Sequence, residues 1–123
     1  MSVQWNTKLG NTSIQDFLAT DKDDATLTNL GTATEIKFQI KKTKKATTAL
    51  VEKTAGAGIE VDTPTTGYLR ITLTPTDTGT TLSVGDYFMA LRITESDGKV
   101  YETNLSIDNT KTEKLRIRQN IVT

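Results

Sequence analysis

The stretch YFMALRITESDGKVYETNLSI, Tyr87–Ile107, holds two alternating runs joined by an Asp-Gly step. In the first run Tyr87, Met89, Leu91 and Ile93 fall on one side and Phe88, Ala90 and Arg92 on the other. That period of two marks a strand with one buried face. Asp97-Gly98 supplies the positive backbone angles of a tight turn. Val100–Ile107 then resumes the alternation, with Tyr101, Thr103, Leu105 and Ile107 on one face, so Tyr87–Glu95 is expected to pair with Lys99–Ser106 as a hairpin. A two-faced antiparallel sheet must bury its apolar side against a second layer, which sets the fold class.

The same pattern extends outward from this hairpin. Ile36, Phe38 and Ile40 alternate with Glu35, Lys37, Gln39 and Lys41; Leu69, Ile71 and Leu73 alternate with Tyr68, Arg70 and Thr72. Leu115 and Ile117 alternate with Arg116 and Arg118 in a last strand running to about Gln119. Weaker strands are expected at Ser13–Ala19, Leu50–Lys53 and Gly58–Asp62. Threonine recurs along the chain, and its branched β-carbon favours the pleated sheet. No segment keeps a helical period, and no composition break or repeat divides the 123 residues. The expectation is a single all-β domain over residues 1–123, an immunoglobulin-like antiparallel β-sandwich of 7–8 strands, with residues 1–12 and 119–123 as extended arms.

Composition narrows the function. Fifteen basic residues balance fifteen acidic ones, so no strong field draws in nucleic acid or an anionic membrane, and neither is expected as a partner. Nothing approaches the run of ~20 apolar residues that a membrane helix needs, and the first residues, MSVQWNTKLG, lack the pattern of a signal peptide. Cysteine is absent, which removes disulfides, thiolate metal sites and thiol nucleophiles. Histidine is absent too, and with it the commonest general base near neutral pH. A Ser–Lys pair or paired carboxylates remain chemically possible, but no spacing points to either. The expectation is a non-enzymatic protein with no cofactor, no metal and no catalytic residue.

Several features invite a chemical reading and fail on pattern. Asp21-Lys22-Asp23-Asp24 starts like a calcium loop, but Ala25 and Thr26 stand where an acidic ligand and the turn glycine belong, so a solvated turn is expected. Lys41, Lys42, Lys44 and Lys45 form a dense basic run without interleaved aromatic residues and read as a solubilising turn. Gly56-Ala57-Gly58 lacks the Lys-Ser/Thr and the helix of a phosphate cradle. Trp5, the sole tryptophan, either anchors a protein contact from the N-terminal arm or caps the core of its own domain. Ile121 and Val122 are the apolar contact candidates of the C-terminal arm.

The run Gly67-Tyr-Leu-Arg-Ile-Thr-Leu-Thr-Pro-Thr-Asp77-Thr, followed by Leu82, Gly85-Asp-Tyr87-Phe and the turn at Asp97-Gly98, resembles the N-terminal domain of the upper baseplate proteins of siphophages that infect Gram-positive bacteria. The likeness spans roughly residues 12–108 and includes Leu27–Lys42. In that family a strand leads into Thr-x-x-Asp-Thr, and Gly-x-Tyr opens the next long strand. Physically, Asp77 can hold the turn through its side chain, Gly85 frees the backbone, and Tyr87 can bury its ring and tie down the loop with its hydroxyl. The resemblance implies a module without catalysis that joins other virion proteins in several copies, located in the virion after synthesis in the host cytoplasm. Family members continue into a further region whereas this sequence ends at Thr123, so tail, baseplate, head–tail junction and capsid decoration all stay open. A carbohydrate-binding or host-adhesion module on the same scaffold is the alternative, with Trp5, Tyr68 and Phe88 as the aromatic residues that could offer a sugar platform.

Overall fold

The computed structural model describes residues 4–20, 33–63, 68–107 and 110–119. Ten strands follow in chain order: β1 (Trp5–Lys8), β2 (Ser13–Thr20), β3 (Ala33–Lys41), β4 (Val51–Ala55), β5 (Gly58–Thr63), β6 (Tyr68–Leu73), β7 (Gly85–Glu95), β8 (Val100–Ile107), β9 (Thr110–Thr112) and β10 (Lys114–Arg118). They form one hydrogen-bonded ladder, β1-β10-β7-β3-β4-β5-β6-β2-β8-β9, and an additional β7–β8 pairing curls it back on itself. The fold is all-β and sandwich-like. In one layer β10, β7, β3 and β4 are antiparallel neighbours, with β1 parallel to β10; in the other, β5, β6 and β2 are antiparallel neighbours. The β4–β5 pairing joins the two layers into one curled sheet around a shared core.

The alternation read from the sequence fixes which side chains enter the core. Ile36, Phe38 and Ile40 from β3, Leu69, Ile71 and Leu73 from β6, Tyr87, Met89, Leu91 and Ile93 from β7, and Leu115 and Ile117 from β10 are all buried in a single cluster. A one-residue slip in any of these strands would turn its apolar row to solvent, so register and core specify each other. Phe17 and Phe38 meet across the two layers with ring centroids 6.5 Å apart.

Three expectations change. The described residues form ten strands where 7–8 were expected; the additions are β1 and the three-residue β9. The arm expected over residues 1–12 is, along Trp5–Lys8, a strand of the sheet: Trp5 pairs with Leu115 and Lys8 with Arg118. Of the C-terminal arm, Gln119 is exposed outside any strand, while 120–123, and with them Ile121 and Val122, lie outside the described residues. The β7–β8 hairpin forms only near its turn, Leu91–Thr94 against Val100–Thr103. Beyond that point β8 crosses to β2, pairing Asn104–Ser106 with Leu18–Thr20, because β10 takes the first half of β7 instead. The acidic run Asp21–Asp24 also lies outside the described residues.

Candidate interaction site

The residues that carry the family resemblance meet at one corner, where β6 hands the chain to β7. A single wide helical turn, Asp77–Thr81, follows β6. Its entry is held reciprocally: the Thr74 amide donates to the Asp77 carboxylate at 2.9 Å, and the Asp77 amide donates to Thr74 Oγ1 at 3.2 Å. Lys53 of β4 reaches the same carboxylate at 2.6 Å, with both side chains largely buried. Burial pushes the Asp77 carboxyl upward, but the bonds from Lys53 and Thr74 and the Lys53 charge outweigh it and hold the group below the usual carboxylate range.

The turn then locks onto the N-terminal strands. Thr78 is fully buried, and its hydroxyl donates to the Asn11 carbonyl at 2.6 Å. Gly10 N–H donates back to the Thr78 carbonyl at 3.2 Å. Gly79 lies so close that a Cβ there would stand 3.0 Å from Gly10 Cα. Three residues past the buried Leu82, the Gly85 backbone takes φ +151°, a conformation that side chains resist. Tyr87 buries its ring, donates its hydroxyl to the Ser83 carbonyl and accepts from the Ser83 amide, both at 3.0 Å, in the manner of a tyrosine corner. Asp77, Gly85 and Tyr87 therefore stand together as architecture. They fix the β6–β7 connection.

Trp5 belongs to the core as well. It is 3% exposed, stacks edge-on to Phe17 with centroids 5.4 Å apart, and donates its indole N–H to Ser13 Oγ at 2.9 Å. Of the two readings open for it, the structure gives the core cap. Phe88 is half-buried beneath the Lys44 ammonium, 5.6 Å from its ring centre. Lys42 lies over the Tyr87 ring at 4.7 Å, so part of the basic run packs on aromatic faces.

The outer face of β2, β6 and β8 offers the clearest contact surface. Ile14 is 58% and Tyr68 48% exposed there, and both line an open depression with Arg70, Asp16, Ser106 and Ile107. Arg70 Nε donates to Asp16 across the β2–β6 ladder at 2.8 Å. An exposed tyrosine and isoleucine around a paired arginine is the residue mixture that interfaces favour. Sequence reading passed over Ile14, Asp16 and Arg70. The alternation of β2 contains the signal, but only the pairing of β2 with β6 and β8 makes them neighbours. A second exposed pair, Arg116 to Asp86 at 2.7 Å, joins β10 to β7; the guanidinium hydrogen bond holds the Asp86 carboxyl below its ordinary value.

Among the described residues no group of acidic side chains is placed to hold a metal ion, and no helix is long and apolar enough to cross a membrane. No family model matches the chain, and neither a curated protein nor a solved structure was found to be similar to it.

Proposed function

We propose that this protein is a non-enzymatic structural component of a bacteriophage particle that attaches to or joins other virion proteins. The observation that carries the reading is the corner at Thr74–Tyr87. The residues that resemble the phage baseplate domain each have a distinct physical task there, and those tasks combine to connect the two layers of the sandwich-like fold. The exposed Ile14–Tyr68 face supports a role in binding protein surfaces. Tail, baseplate, head–tail junction and capsid decoration are all compatible with such a module. Cross-linking mass spectrometry on particles tests the reading: links from lysines of this chain should reach tail, baseplate or capsid proteins. Links to host proteins alone would count against it.

A glycan-binding reading is favoured by one feature, the exposed Tyr68 ring beside the Asp16–Arg70 pair, which could stack on a sugar and bond its hydroxyls. Glycan-array binding that is lost in Tyr68→Ala would support it; silence on the array would remove it.

A further inference from the structure

Where β7 parts from β8, the sheet opens into a notch on its outer face. Leu91 is the last β7 residue paired with β8, Phe88 the last paired with β10, and between them Met89 N–H donates to the Glu113 carbonyl at 2.8 Å. The space left is about 250 Å³. Ala90 stands in its wall, a short side chain on an outward row whose other members near the notch are Phe88 and Arg92.

Three features of this notch call for an anion. Thr112 lines it and is only 7% exposed, yet among the described residues its hydroxyl finds no hydrogen-bond partner. A buried polar atom left unpaired carries a cost and calls for an account. Lys37 and Arg92, both lining residues, stand directly opposite each other in the β3–β7 ladder, a like-charged pairing that destabilises a sheet. The lining carries Lys37, Lys41, Lys44 and Arg92 against one carboxylate, Glu113, which Lys44 already engages. Lys37 is shared between Glu35 and Glu52, whereas Lys41 and Arg92 form no ion pair among the described residues. In the β7–β8 ladder the backbone of Arg92 pairs with that of Glu102.

We infer that the notch receives the carboxylate side chain of an acidic segment of a partner protein. The carboxylate would accept from the Thr112 hydroxyl and from Lys41 and Arg92, satisfying the orphan group and separating the like charges. The volume suits one side chain; pockets for nucleotide-sized ligands are usually larger, from about 300 Å³ upward. The inference goes beyond the virion reading and stands without it, since the chemistry of the notch is the same in any setting.

Amide NMR on the full chain tests it, with a capped Gly-Ser-Glu-Gly-Ser peptide, its glutamine counterpart and inorganic phosphate as probes. The glutamate peptide should shift the amides of Ala90, Leu91 and Thr112 at concentrations on the order of millimolar, and the glutamine peptide should not. Ala90→Phe fills the notch from a solvent-facing position, and Thr112→Val removes the hydroxyl at nearly constant volume. Both should weaken the response about tenfold or more, the range for a lost hydrogen bond to a charged group. Thr112→Val should also melt no lower than wild type, because it deletes an unpaired polar atom. Unmoved amides with the glutamate peptide would leave the notch a hydration site and overturn the inference. So would shifts with phosphate alone, or undiminished peptide binding in Thr112→Val.

Discussion

Replacing Tyr87 with Phe isolates the hydroxyl that ties the β6–β7 corner together. The ring is 3% exposed and stays packed; what is lost is one bond donated to the Ser83 carbonyl and one accepted from its amide, both at 3.0 Å. A net hydrogen bond contributes about 1 kcal/mol. Ser83 lies at the surface, so water can take over its two backbone groups, and the larger penalty of a buried orphan does not apply. The expected loss is therefore about 1–2 kcal/mol, a fall in melting temperature of roughly 4–10 °C for a domain of this size. Circular dichroism melts, paired with urea titrations at an unchanged slope, read this directly. Hydrogen exchange should also quicken at Leu82 and Ser83 while the β3 and β6 amides keep their protection. A Phe variant that melts within about 1 °C of wild type would refute the reasoning, because the hydroxyl would then hold nothing.

Trp5→Ala should cost about 3–5 kcal/mol, since it empties a site packed on Phe17 and Phe38; a loss below about 1 kcal/mol would return β1 to the status of an arm. Gly58→Ala places a Cβ 2.5 Å from Lys53 Cδ at φ +102°, displacing the lysine that pairs with Asp77. Its destabilisation should therefore be less than additive with Asp77→Asn in a double-mutant cycle, whereas simple additivity would mean that Lys53 keeps its partner. The folded-state pKa of Asp77 is depressed, so its contribution to stability is present above the ordinary value of 3.8 and is lost as pH falls through the lower folded value. Asp77→Asn should accordingly flatten the acid limb of the stability curve; an unchanged limb would contradict the ion pair. Gly85→Ala should cost about 1–3 kcal/mol through backbone strain at φ +151°, because nothing but the Lys42 ammonium crowds the space a methyl group would enter.

How far the sequence carries depends on whether a feature is local. The rows Ile36–Phe38–Ile40 and Tyr87–Met89–Leu91–Ile93 are each legible within one strand, and they place the core correctly. The capping of Thr74 by Asp77 is also local, three residues apart, and so was within reach of turn chemistry. β1 was not. Its four residues contain a single large apolar side chain, and its status depends on a parallel partner more than a hundred positions away. The split of the β7–β8 hairpin was hidden for the same reason: alternation continues unbroken through Leu105, and only competition from β10 for the first half of β7 diverts β8 to β2. The notch at Ala90 and the Asp16–Arg70 face follow from that diversion and from strand order, which no single segment encodes.

Mass spectrometry of density-gradient-purified phage particles tests directly whether this protein is a virion component. The protein should co-band with the particle in multiple copies, at a constant ratio to the major capsid or tail protein across the peak. Its absence from the banded particles, with the protein recovered only in the unassembled lysate, would rule out a structural role in the virion.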